Sequence, residues 1–331
     1  MNRGATEKRR SFSFADFFRE NSILIVFVAI VALFSIVGRN FFSLRNATNI
    51  LNQNAYLIIA TMGASFVMVS GGIDLSLGYQ MSIVVVVVSK LILEMGWSMW
   101  PAILIGLLIG IVMGVINGLA IVKFKVNSIV GTLASSMVFQ GISYILSSGK
   151  QMWGFDESFR AISGGEIFNL SYAFWLSIVV VIVITVIYTK TYYGRFVQAM
   201  GGNEEAARLS GIKTTALRIS TFVIASFFAA VASITLASKV GTVSSATGPG
   251  TEFSILTAIM LTGSMGTGRV SIWKFVFGVL ILAMLSNGMQ LAGWDTQIQY
   301  IVRGTLLLAS ISYQEAQTRY HKTAKLTKKK A

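Results

Sequence analysis

The side chains able to do covalent chemistry are few. The 331-residue chain has no Cys and a single His, His321, near its C-terminal end. Those counts exclude disulfides, thiolate nucleophiles and Cys-ligated metals, and they leave no His for a triad, a general base or a metal site within the apolar part of the chain. No G-x-x-x-x-G-K-[ST] phosphate loop occurs, so the chain itself is not expected to bind and hydrolyse ATP. No catalytic residue and no metal ligand is assigned. The polar groups that remain are suited to holding or passing a solute rather than transforming one.

The first such group is Gly71-Gly72-Ile73-Asp74-Leu75-Ser76-Leu77-Gly78, which interrupts two apolar runs that are each only about 25 Å long as straight helices. Adjacent glycines let a helix stop, and Asp74 can accept the free backbone N–H groups of the helix that follows. Two readings stay open: a capped turn at the membrane interface, or a broken helix lining a pathway through Gly71, Gly72, Asp74 and Ser76. Arg303 lies about seven residues inside its apolar run, where a charge is either functional or paired with a carbonyl or acid. Asn117 and Asn287 are further polar candidates for a pathway. Lys90 and Glu94, four apart near the end of a run, read as an anchor to the headgroups.

Gly106, Gly110, Gly114 and Gly118 recur every four residues on one helix face, a stripe where another backbone can approach, with Asn117 beside it. Packing is the reading we adopt for it. The loop Gly201-Gly202-Asn203-Glu204-Glu205-Ala206-Ala207-Arg208-Leu209-Ser210-Gly211 reads as a short helix: Asn203 as N-cap, Glu204 and Glu205 at the positive end of the dipole, Gly211 at a left-handed stop.

The elements that position these groups follow from composition. The chain is 54% hydrophobic and 12% charged, against roughly 25% charged in soluble domains. A net charge of +14 would suggest nucleic acid if it coated a surface, but the basic residues sit in short clusters between apolar runs. We therefore expect no nucleic-acid partner and an all-α, polytopic membrane protein. Ten spans are expected, at about 22–38, 53–70, 79–95, 100–122, 128–147, 172–189, 219–238, 253–265, 272–292 and 296–313. With the N-terminus inside, 20 of 27 basic residues fall on the cytoplasmic side, which places both termini there. The expected organisation is a cytoplasmic segment 1–21 that is not a cleaved signal peptide, a transmembrane domain 22–313 with its main internal loop at 190–218, and a basic tail 314–331. Ten spans divide into two fives of opposite topology, a common plan for a transport path.

Glu205-Ala206-Ala207-x-x-x-Gly211 resembles the E-A-A-x-x-x-G cytoplasmic loop of ABC importer permeases. The longer strings G-G-N-E-E-A-A-R-L-S-G-I at 201–212 and G-G-I-D-L-S-L-G at 71–78 are similar to the ribose-type sugar permease family, as are N-F-F-S-L-R-N-A-T-N-I-L at 40–51 and Ser286-Asn287-Gly288 with the downstream Arg303. The resemblance spans about 40–310. It implies an ATP-driven importer of a simple sugar acting by alternating access in the bacterial inner membrane, without catalytic chemistry of its own. It also implies a permease dimer, homo- or heteromeric, cytoplasmic ATPase subunits that bind the ATP and Mg, and an external solute-binding protein. The helix at 204–210 is then the element that docks in an ATPase groove. The chain departs from the family pattern at Gly248-Pro249-Gly250-Thr251-Glu252-Phe253-Ser254-Ile255 and Thr262–Gly268, which leaves the exact solute open. The alternatives are an ion-coupled secondary transporter, or an ABC permease for a related small polar solute such as a sugar-like signal molecule or a nucleoside.

Overall fold

The computed structural model describes residues 22–37, 40–266, 268 and 270–312. The expected segments 1–21 and 314–331, with His321 and the terminal lysines, lie outside the described residues. Helices occupy all ten expected places: α1 Ser22–Val37, α2 Leu44–Val69, α3 Leu77–Ser89 continued by a π-turn at Lys90–Glu94, α4 Met99–Lys123, α5 Ser128–Ser147, α7 Tyr172–Lys190, α10 Thr214–Val240, α11 Thr251–Met260, α12 Ile272–Leu291, and α13 over 296–312. Between them lie α6 Glu157–Gly164, α8 Tyr192–Gly202 and α9 Glu204–Leu209. Seven of these, counting α3 with its π-turn, are long and apolar enough to cross a membrane. Sheet among the described residues is confined to two antiparallel two-residue pairs, β1 Met152–Trp153 with β4 Thr242–Val243, and β2 Glu166–Ile167 with β3 Leu170–Ser171.

Two boundaries differ instructively from the hydropathy reading. α2 begins at Leu44, not near 53, because Ser43 caps it: the Ser43 side chain accepts from Asn46 N at 3.2 Å. Its first turns are rich in amides (Asn46, Asn49, Asn52, Gln53, Asn54), which lower the apolar average; Asn46 is buried against α12, and Gln53 and Asn54 face a cavity. α11 ends at Met260, not near 265, where Leu261, Thr262 and Gly263 turn back by N–H···O bonds of 3.0 Å each to Thr257, Ile259 and Met260.

The centre of the bundle is α2 against α10, with Phe66, Ile59, Met62, Phe222 and Ala229 buried there. The glycine stripe on α4 has the packing role its spacing suggests. A Cβ at Gly110 would lie 2.7 Å from Ala230 Cβ, at Gly114 2.7 Å from Val223 Cα, and at Gly118 3.0 Å from Ile219 Cα, all on α10; at Gly106 it would meet Val88 of α3 at 2.6 Å. Any larger residue forces the two backbones apart.

One plan occurs twice. A long helix (α2, α10) ends, the chain runs back without helix, and a shorter helix (α3, α11) starts inside the bundle. The starts of the two short helices touch: Gly78, in the first turn of α3, lies directly against the carboxylate of Glu252 in the first turn of α11, and a Cβ there would also sit 2.8 Å from Gly248 O in the loop before α11.

Candidate functional site

From Gly72 on, the 71–78 break is packed against other helices, with Gly72, Asp74 and Ser76–Gly78 buried and Gly71 exposed. Gly71 takes the left-handed φ of 90° that ends α2, and Gly72 N closes back on Val67 O at 2.9 Å. The chain then passes alongside α5, which supplies side chains in place of helical carbonyls: Ile73 N donates to Ser128 Oγ at 3.1 Å and Leu75 N to Thr132 Oγ1 at 3.0 Å. Buried backbone without its own ladder is tolerated only when protein groups satisfy it. Asp74 is 6% exposed, and its Oδ1 accepts from Ser76 N at 2.9 Å and Ser76 Oγ at 2.6 Å. It thus holds the turn just before α3 rather than the first helical N–H groups.

Ser76 Oγ is the hub of this cluster, accepting from Gln80 Nε2 at 2.8 Å and from Asn117 Nδ2 of α4 at 2.7 Å. Asp74 Oδ2, Gln80 Oε1 and Asn117 Oδ1 are buried acceptors with no donor from the protein. On α3, one turn further, Ser82 bonds Ser143 of α5 at 2.6 Å and donates to Ser245 O at 2.7 Å, tying the first break to the loop before α11.

A second region is a cavity of about 620 Å³ between α2, α10, α11, α12 and α13, at the end of α10 that leads into β4. Its polar lining is amide, hydroxyl and cationic: Gln53, Asn54, Ser254, Thr257, Ser286, Asn287, Gln290, Lys239 and Arg303, with Tyr56, Phe253 and Tyr300 as aromatic faces. No Asp or Glu is among the lining residues. Arg303 Nη2 donates to Ser286 Oγ at 2.8 Å, Asn287 Oδ1 accepts from Asn46 Nδ2 at 2.8 Å, and Lys239 Nζ donates to Gln53 O at 2.9 Å. The charge of Arg303 is thereby turned into a solute-sized space rather than toward lipid.

The third region is the 190–218 loop. α9 is capped as its sequence suggests: Asn203 Oδ1 accepts from Ala206 N at 2.9 Å, and Gly211 stands at φ 86°. Arg208 pairs with Glu205 at 2.7 Å on the exposed side, and that hydrogen bond holds the guanidinium above its ordinary pKa. Ala207 is the buried residue of α9.

The expected pathway residues are therefore not one site. Asn287 and Arg303 share the cavity; Asp74, Ser76 and Asn117 form the α3–α4–α5 cluster; Gly71 and Gly72 lie toward α9. The sequence reading missed Ser128, Thr132, Gln80, Glu252 and most of the cavity lining. Ser128 and Thr132 bond residues more than 50 positions away, and Gln80 and Glu252 act in clusters completed by other helices, so no local pattern marks them.

A polytopic α-helical bundle with broken helices, a solute-sized polar cavity and a capped helix exposed at one end defines a membrane permease. Residues 46–311 match the family described as branched-chain amino acid transport system / permease component, and the chain belongs to that family. It is 34% identical over 327 residues to the L-arabinose transport system permease protein AraH of Escherichia coli K12, covering 98% of each chain. It is 33% identical over 285 residues to the ribose import permease protein RbsC of Bacillus subtilis 168 (85% of this chain, 88% of the relative), and 28% identical over 305 residues to the autoinducer 2 import system permease protein LsrC of Yersinia enterocolitica (92% and 84%). No solved structure matches the chain. The ribose-type resemblance of its motifs holds. The chain is a multi-pass inner-membrane permease subunit of an ABC importer, a transport subunit and not an enzyme; nucleotide binding belongs to the ATPase partners that such permeases work with, alongside a solute-binding protein.

Proposed function

We propose that this chain carries a simple sugar across the inner membrane by alternating access, as one half of a permease dimer. The observation that carries this reading is the 620 Å³ cavity, whose amides, hydroxyls and aromatic faces match the hydroxyls and C–H faces of a pentose or a related small polyol, and whose polar lining includes no carboxylate. The functions of its relatives agree, since arabinose, ribose and autoinducer 2 importers are among them. ATP and Mg are bound by the cytoplasmic partners, which dock on α9; the external binding protein delivers solute at the cavity end. Family membership leaves no support for the ion-coupled alternative.

The test is uptake into proteoliposomes holding the permease with its cognate ATPase, presented with binding protein and L-arabinose, ribose or autoinducer 2. Uptake of one of these is expected only with internal ATP and with the binding protein. Arg303→Leu, which removes a cavity cation, is expected to cut it at least tenfold at normal expression. ATP-independent uptake would return the secondary-transporter reading, and wild-type uptake by Arg303→Leu would remove Arg303 from the pathway.

In this orientation both termini and 190–218 face the cytoplasm while 148–171 faces outward, because 20 basic residues then lie inside. The chain has no Cys background. An impermeant thiol reagent on intact cells should label Ser158→Cys and spare Ser210→Cys; the opposite pattern would invert the topology.

A further inference from the structure

One side chain stands between the capped helix α9 and the 71–78 break. Glu204, the first residue of α9, accepts from Arg218 of α10 through Oε2 and Nη2 at 2.6 Å. The Arg218 side chain is only 17% exposed against 50% for Glu204, so the guanidinium is held on the protein side of the pair. Its other terminal nitrogen, Nη1, lies 3.7 Å from where a Cβ would stand on Gly72. Arg218 thus bonds α9 through one nitrogen, while the other lies beside Gly72 at the start of the 71–76 break.

The surroundings make this a strut rather than an isolated surface pair. Gly201, just before α9, abuts Val69 O at the end of α2, and Gly266 N donates to Met68 O at 3.3 Å in the same place. Gly268, in the turn after α11, lies against Gln198 O and would place a Cβ 3.0 Å from Gly202 N. The end of α2, where the break before α3 starts, and the turn after α11 therefore both rest on the α8–α9 unit. A cleft lined by Glu204, Glu205, Arg208, Arg218, Lys125 and Ser128 runs beside it, and Ser128 is the residue that holds Ile73 N. Among these contacts the Glu204–Arg218 pair is a charge-assisted side-chain link whose length and angle can change without breaking backbone.

We propose that Arg218 is a positioning residue for energy coupling: through Glu204 it transmits movement of the ATPase-bound helix α9 to the Gly71–Ser76 break and so to α3. This rests on the reading that α9 is the docking helix. Coupling needs an element whose position differs between two states and which links both sites, and Arg218 is bonded to α9 and stands beside Gly72 of the break. Glu205 and Arg208, exposed on the same cleft, pair with each other rather than with Arg218.

The experiment uses the full importer in proteoliposomes with four variants: Arg218→Met, Arg218→Lys, Glu204→Gln and Glu205→Lys. It reads ATPase co-purification, ATP turnover, uptake per ATP, and the labelling rate of a Leu75→Cys reporter with and without ATP. The docking reading expects Glu205→Lys to lose ATPase co-purification; retention there overturns that reading and, with it, the premise of the strut, whereas loss there with a negative result for the Arg218 and Glu204 variants overturns the strut alone. The strut expects Arg218→Met and Glu204→Gln to keep ATPase bound and turning over, to lose uptake per ATP at least tenfold, and to abolish the ATP-dependent change in Leu75→Cys labelling. Arg218→Lys, which keeps the charge but not both contacts, should fall between. Wild-type uptake per ATP in Arg218→Met and Glu204→Gln overturns the proposal, and so does loss of ATPase co-purification in both, which would make the pair part of the docking surface. If Arg218→Met fails to reach the membrane, Glu204→Gln, on the exposed side of the pair, decides.

Discussion

Gly78→Val is expected to abolish uptake and to lower the thermal stability of the purified permease by several degrees. A Cβ at this position falls on the Glu252 carboxylate and within 2.8 Å of Gly248 O. Neither neighbour can give way cheaply. Glu252 is 3% exposed and its Oε2 accepts from Gly250 N at 2.9 Å, closing the turn into α11; Gly248 is main chain held by Thr251 N donating to its carbonyl at 3.0 Å. Overpacking of this kind costs about 1–3 kcal/mol or more, and here the strain falls where the two short helices meet, so the geometry of both shifts together. Gly164→Ala, where a Cβ meets open space, is the control and should behave as wild type. Normal transport by Gly78→Val would show that α3 and α11 are not held in register through this contact.

The second large effect separates two substitutions of one residue. Asp74→Leu removes the acceptor of Ser76 N and Ser76 Oγ in a buried site, leaving donors unpaired at about 1–3 kcal/mol each. Ser76 Oγ also anchors Gln80 and Asn117, so the loss spreads across α3 and α4. Uptake should fall at least tenfold, with reduced yield of folded protein. Asp74→Asn keeps the Oδ1 acceptor, and its amide N–H₂ stands where Oδ2 now has no donor, in a cluster whose Gln80 Oε1 and Asn117 Oδ1 lack donors too. Uptake within about threefold of wild type is expected for Asn, since the turn it holds is preserved. Loss of uptake by both variants, with normal folding, would assign Asp74 a charge-dependent role in the pathway instead.

Much of the fold was legible in the sequence because a lipid environment leaves a simple signature. Runs of apolar residues bounded by Arg, Lys, Asn and Gly marked ten helices, and the 128–147 element agrees with its helix at both ends. Caps were also legible, since Asn203 and Gly211 act on residues within four positions. The glycine stripe of α4 showed that a close helix neighbour exists. Its identity as α10 comes from residues more than 100 positions away.

Tertiary structure decided the rest. The break at 71–78 reads in sequence as a capped turn at the cytoplasmic interface or as a broken helix lining a pathway, and the partners that hold its backbone, Ser128, Thr132 and Asn117, come from other helices. Arg303 and Asn287 read as isolated polar residues until α2, α11 and α13 enclose a cavity around them. Glu204 reads as a dipole-favouring residue of a short helix, yet its carboxylate is committed to Arg218, fourteen positions on and beside Gly72. The physical reason is common to all three. Helix formation and membrane insertion depend on short-range pattern and summed hydrophobicity, which a linear sequence states directly. Polar contacts between helices depend on which faces meet, and that is fixed by the packing of small residues and by the satisfaction of buried backbone groups across the whole bundle.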